Sequence, residues 1–191
     1  MTSRERDSGA RRRSATTRRQ WLFPLVRAAL IALPLVLLLA LTLVVPGSAS
    51  AGGVEIRVEK ALRRLTVLED GVAVRTYEIA LGANPIGHKQ EEGDERTPEG
   101  RYVIDYRNTH SRFHRSLHIS YPNEKDRREA EARGVSAGGD IVIHGLPPGW
   151  SWLGAAHHAF DWTDGCIAVT NDEMDELWER IEEGTPIEIL P

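Results

Sequence analysis

The sequence predicts a mainly β domain with one or two peripheral helices, and three observations point that way. From Val54 onward, short runs alternate apolar and polar residues, the mark of strands with one buried face. An Asp-Gly pair between two such runs marks a tight hairpin. Only two stretches carry helical features.

Taken in order, Val54, Ile56 and Val58 alternate with Glu55 and Arg57 and open the domain with a strand. Leu65 and Val67 lead into Asp70-Gly71, and Val72, Val74 and Tyr77 lead out, which predicts a hairpin turned where positive φ is tolerated. Further strands are expected over residues 101–106, 117–120, 141–144, 166–169 and 186–190. Residues 124–133 are highly charged and stop at Gly134, as a solvated surface helix would. A second helix starts at Thr170, where Thr170 and Glu173 have the spacing of a capping box. Met174, Leu177, Trp178 and Ile181 recur at helical spacing before Gly184, so the Met and Trp read as core contacts. The loops at 82–100 and 146–163 are too long for plain connectors, and such loops on a strand scaffold commonly carry binding and catalysis. No internal repeat is present.

Charge divides the chain unevenly. The net charge is −4, but residues 1–51 hold eight Arg and two acids, net +6, while the other 140 residues carry 16 Lys or Arg against 26 Asp or Glu, net −10. An acidic body excludes nucleic acid as a partner, because that binding needs a cationic surface to displace counterions.

The first 51 residues read as a targeting segment. Eight arginines from Arg4 to Arg27 precede an uncharged apolar run at 28–45, which orients the N-terminus towards the cytoplasm. Two readings remain, a signal peptide and a retained membrane anchor. Pro46-Gly47-Ser48 would break the helix, and Ala49-Ser50-Ala51 supplies small residues for a signal peptidase, which favours cleavage after Ala51. Arg18-Arg19 fits either a twin-arginine signal or a generally basic leader. Under each reading the body at 54–191 is exported, with contact to the membrane only through the N-terminal segment.

The chain has one cysteine, so it makes no internal disulfide. A lone thiol outside the cytoplasm is either an inert buried group or a reactive one. Cys166 follows Gly165, whose freedom permits a tight backbone and close approach of another chain. Twenty-two residues earlier, an apolar strand ends at His144-Gly145. A thiol attacks as thiolate and needs a base within reach, and histidine titrates near neutral pH. Two strand ends at one rim of a sheet could bring the pair together. Zinc is the competing use of Cys166, His144, His157, His158 and Asp164. No Cys/His pair has structural zinc spacing, however, and adjacent His157 and His158 would diverge in an extended segment. No metal and no organic cofactor is expected.

These residues resemble the L,D-transpeptidase catalytic domain, also called the YkuD domain. The family pattern is a strand ending His-Gly, then Ser/Thr-His-Gly-Cys and a hydrophobic residue. Here it reads His144-Gly145 and Thr163-Asp164-Gly165-Cys166-Ile167, with Thr97-Pro98-Glu99-Gly100 similar to a further family segment. The resemblance runs from about Val54 to Leu190. It departs at Asp164, where the family usually has His, and at Ala168, where Arg or Asn is common. Residues 82–89, 117–123 and Asp161-Trp162-Thr163 look like a subgroup in which some members release wall-attached proteins instead of forming cross-links.

The resemblance implies a curved β-sandwich acting on peptidoglycan stem peptides. Cys166 would attack the carbonyl after the third stem residue to form a thioester. His144 would take the thiol proton and return it to the leaving amine, and the Gly145 carbonyl would orient the imidazole. The backbone amides of Asp164, Gly165 and Cys166 would form the oxyanion hole, where such donors are worth about 3 kcal/mol each. An amine acceptor gives transpeptidation, and water gives hydrolysis. His118, Trp162, Thr163 and Asp164 are the candidate substrate-binding residues. Asp164 has three readings: holding His144, holding a substrate ammonium, or a turn residue. His118 either faces the cleft or lies on the polar face of its strand. Trp150, Trp152 and Trp162 either wall the cleft or anchor their loop. A catalytically silent wall-binding module is the competing function.

Overall fold

The computed structural model describes residues 52–191. The expected basic region, apolar run and cleavage site lie outside the described residues. Among those described, no helix is long and apolar enough to cross a membrane.

Eight strands and two α-helices follow one another among the described residues. The strands are β1 (Val54–Glu59), β2 (Arg64–Glu69), β3 (Val72–Glu78), β4 (Gly100–Asn108), β5 (Ser116–Ile119), β6 (Val142–His144), β7 (Ile167–Ala168) and β8 (Pro186–Leu190). The helices are α1 (Glu124–Arg133) and α2 (Asn171–Arg180), and two 3-10 segments span Lys60–Leu62 and Ser151–Ala159. All eight strands join one sheet in the order β3-β2-β1-β8-β4-β5-β6-β7.

The curvature originates in β4. Residues Gly100 to Val103 pair with β8, residues from Ile104 onward pair with β5, and the register breaks between Ile104 and Tyr106. A bulge there bends the strand and lets a continuous sheet fold into two facing halves. The expected sandwich is therefore a single curled sheet around one core. Just past β3, Ala80 exchanges backbone hydrogen bonds of 3.0 and 2.8 Å with Ala168 in β7, so the two outer strands of the order meet.

Local sequence explains the elements. Asp70 and Gly71 have φ of 52° and 78°, the pair of positive angles that the β2–β3 hairpin turn requires. Ile56, Val58, Leu65, Val67, Ile187 and Ile189 from β1, β2 and β8 are all 1% exposed or less and form one wall of the core. Thr170 and Glu173 form the expected capping box on α2, and Met174 and Leu177 are fully buried beneath it. Helix α2 ends at Arg180, with Ile181 already extended but also buried. Helix α1 stops at left-handed Gly134 as expected, yet one of its acids is not solvated. Asp126 is buried and accepts hydrogen bonds from the Asn123 amide at 2.9 Å and the Tyr102 hydroxyl at 3.1 Å.

Candidate active site

Parallel pairing of β6 with β7 sets Ile143 opposite Ile167 and His144 opposite Ala168. Ile143 and Ile167 are fully buried in the core, so the alternate residues face the other way. Cys166, one residue ahead of β7, comes beside Val142 on the face that carries His144. That face borders a cleft of about 690 Å³ lined by Cys166, His144, His118, Phe113, Trp162 and Asp164 among others.

His144 is 2% exposed. Phe113 stacks on it with centroids 4.6 Å apart, and Trp162 meets it at 5.7 Å and 72°. Its Nδ1 lies 2.6 Å from the Gly145 carbonyl. A carbonyl only accepts, so Nδ1 carries the hydrogen and Nε2 keeps its lone pair. Burial lowers the imidazole pKa to about 4, against the opposing pull of the Gly145 hydrogen bond. The ring is therefore neutral, and basic at Nε2, in neutral solution. Helix α2 fixes the turn behind it: a Cβ on Gly145 would stand 2.6 Å from Asn171 Oδ1, the same oxygen that accepts the Leu146 amide at 2.8 Å.

Cys166 is half-buried and free. Burial raises its pKa, the Val142 amide hydrogen bond and Lys89 oppose that, and the charges of Asp164 and Asp140 add to it. The resting thiol donates to the Asp140 carbonyl at 3.6 Å rather than to His144. A raised thiol and a lowered imidazole make the resting pair neutral, so the chemistry open to it is base-assisted attack and not a standing thiolate–imidazolium pair.

The loop before Cys166 requires glycine. Gly165 has φ of 123°, and a Cβ there would lie 2.6 Å from the Arg96 carbonyl oxygen. Thr163 lines the cleft but is largely buried, and its hydroxyl donates to the Cys166 carbonyl at 2.7 Å and accepts the Gly165 amide at 3.2 Å. The Gly165 amide is thereby already paired within the loop.

The tryptophans separate by role. Trp162 lines the cleft, Trp150 packs on Trp162 at 5.2 Å, and Trp152 is 79% exposed and does not line this cleft. His118 does face the cleft, with Nδ1 2.6 Å from Asp105 Oδ1. Asp164 stands exposed at the cleft. His157 and His158 do not diverge, because their segment is a 3-10 helix and their rings sit 3.9 Å apart. Among the described residues no group of three His, Cys, Asp or Glu could hold a metal.

Sequence reasoning missed Phe113, Asp140 and Asp105. Phe113 is the single aromatic in the basic stretch Arg112–Arg115, which was a usable signal. The other two act through a carbonyl and a bulge, which no residue type announces.

A thiol beside a neutral, backbone-held imidazole in an open cleft of a curled sheet defines a class of nucleophilic site, and comparison with known proteins specifies the family. A model described as the L,D-transpeptidase catalytic domain (YkuD) matches residues 53–189, and the chain belongs to that family. The chain is 30% identical over 109 residues to "Putative L,D-transpeptidase YafK" of Escherichia coli K12, covering 56% of this chain but 36% of that protein. Among solved structures, the K307A mutant of the helical cell shape determining protein Pgp2 from Campylobacter jejuni matches at TM-score 0.56 and 27% identity, covering 75% of this chain and 48% of that one. Bd1075 of Bdellovibrio bacteriovorus matches at TM-score 0.53 and 26% identity, covering 73% and 49%. The chain thus spans about a third of the YafK protein and about half of these two solved chains.

Proposed function

We propose that this chain is an exported L,D-transpeptidase-type enzyme that opens peptidoglycan stem peptides through a thioester on Cys166. One observation carries the reading: the single cysteine and a neutral imidazole with a bare Nε2 share one strand face in an open cleft. Nε2 takes the thiol proton as sulfur attacks, so the resting pair carries no charge. The amides of Asp164 and Cys166 meet the developing oxyanion. Trp162 and Phe113 supply apolar walls for the peptide stem. His144 Nδ1 is already held by Gly145, which leaves Asp164 to meet a substrate ammonium, such as that of diaminopimelate, in the stem or acceptor.

An amine acceptor makes the reaction a transfer, and water makes it a cleavage of peptide or protein–wall links. No metal or organic cofactor enters the scheme.

Cys166→Ala should abolish turnover of purified stem tetrapeptide while thermal melting stays cooperative. Near-normal turnover in that variant would refute the mechanism. His144→Gln should slow acylation of Cys166 by a carbapenem, followed by intact mass, by roughly 10²-fold. Wild-type Cys166 no more reactive than a free thiol would make the domain a wall-binding module instead.

A further inference from the structure

The strand rows place a second imidazole in line with the nucleophile. Antiparallel pairing sets Tyr106 of β4 opposite His118 of β5, and His118 opposite Val142 of β6. Cys166 follows beside Val142, so His118, Val142 and Cys166 form one row across the floor of the cleft. His144 belongs to the next row, opposite Ser116. His118 is two strand spacings from Cys166, about 10 Å between Cα atoms, which leaves room for a carbonyl and a water or amine between the side chains. Leu117 and Ile143, the alternating neighbours, are fully buried in the core, so the row has no freedom to face elsewhere.

The bulge in β4 gives His118 its partner. Asp105 falls between the paired residues Ile104 and Tyr106, where an extra residue can turn its side chain away from the regular ladder. Its Oδ1 lies 2.6 Å from His118 Nδ1. A carboxylate accepts only, so Nδ1 holds the hydrogen and Nε2 is the free, cleft-side nitrogen. His144 is held in the same tautomer by a backbone carbonyl, whereas the partner of His118 is a side-chain carboxylate. The side chain of His118 is 25% exposed, in contrast to buried His144, and stands where a diffusing amine or water arrives.

We propose that His118, oriented by Asp105, is a second proton-transfer residue that serves the amine or water, while His144 serves the thiol. This inference rests on the acyl-enzyme reading above. In acylation the S–C bond forms and the C–N bond breaks: the thiol proton goes to His144 Nε2, and protonated His118 delivers its proton to the leaving amine. In deacylation water adds to the thioester carbonyl and gives a proton to His118. The C–S bond then breaks, and the thiolate takes back the proton held by His144. Both imidazoles end as they began, and no redox partner is required. Asp105 is a positioning residue that acts only through His118.

Two readouts separate this role from a structural one. The first is turnover of the stem tetrapeptide, and the second is alkylation of Cys166 by iodoacetamide, which has no amine or water step. His118→Gln should lower turnover by roughly 10²-fold while alkylation stays within about threefold, whereas His144→Gln should lower both. Asp105→Asn should lower turnover by a smaller factor, again sparing alkylation. Imidazole added to His118→Gly should restore turnover in a concentration-dependent way. The proposal is overturned if His118→Gln keeps at least a third of wild-type turnover, if turnover and alkylation fall together in a folded variant, or if imidazole fails to rescue. Wild type that neither turns the peptide over nor alkylates faster than free cysteine overturns the acyl-enzyme reading and this one with it.

Discussion

The two long loops differ in how their polar groups are satisfied. Residues 82–100 are organised around the buried ammonium groups of Lys60 and Lys89, each with several partners, while the buried Nε of Arg96 has none among the described residues. Lys60 Nζ, from a residue 1% exposed, donates to the Gly87 and Thr97 carbonyls at 2.6 and 2.9 Å and to Glu99 at 2.8 Å. Lys89 Nζ reaches Asp94 at 2.8 Å and the Glu91 carbonyl at 3.1 Å. Burial pushes the Asp94 carboxyl up, but the amides of Gln90, Glu91 and Arg96 together with Lys89 outweigh it and hold it below the usual range. Residues 146–163 are the reverse. They expose Trp152 and Phe160 and bury His157, neither of whose ring nitrogens has a hydrogen-bond partner among the described residues. Their firm tie comes at the far end, where Asp161 takes three hydrogen bonds of 2.7 to 3.0 Å from the Arg63 guanidinium.

The difference teaches which loop carries and which covers. Buried ammonium groups with several partners each rigidify their segment, and a stretch with unpaired buried rings and exposed aromatics opens at lower cost. The first loop accordingly backs Cys166, with the Arg96 carbonyl against Gly165. The second supplies Trp162 to the cleft wall.

The sharpest way to break this contrast is at the contact between the first loop and Gly165. Gly165→Ala combines a left-handed backbone with a methyl group driven into the Arg96 carbonyl, and it should cost more than about 4 kcal/mol or prevent folding. A soluble variant with a wild-type melting temperature would show that the first loop is not a rigid backing. Next comes Lys60→Met, which strands two carbonyls and Glu99 and should cost roughly 3–5 kcal/mol by denaturant titration. Trp152→Ala in the covering loop should stay within about 0.5 kcal/mol. Equal losses for these two would erase the distinction.

The smallest effect concerns His157, and its sign follows from linkage. Burial, followed by the neighbouring His158 and His144, lowers its pKa to about 4 from an ordinary 6.5. The unfolded chain therefore binds the proton more readily between those values, so stability falls as pH drops from 6.5 towards 4. His157→Leu removes both this loss and the unpaired nitrogens. It should stabilise by about 1–2 kcal/mol at pH 7.5, and by roughly 2 kcal/mol more at pH 5. Equal gains at the two pH values would mean that the histidine is not held neutral.

Much of this was legible in the chain itself. Alternation placed the strands, Asp70-Gly71 the hairpin, and Thr170 with Glu173 the start of α2, because each depends on neighbours within a few residues. That Cys166 and His144 would meet at one rim of the sheet was legible as well, since a lone thiol behind glycine and a histidine ending an apolar strand stand out together, and both line one cleft. What only the tertiary structure decided involves groups brought together from far along the chain. Lys60 finds its partners only when Gly87, Thr97 and Glu99 close around it, and Thr163, besides lining the cleft, braces the backbone on either side of Gly165 with its hydroxyl. The β4 bulge turns Asp105 onto His118, and the return of the chain past β3 to Ala168 curls the sheet. Local propensity encodes hydrogen bonds closed within a turn or a cap, whereas the partner of a buried polar group is set by which distant backbone the core packs against it.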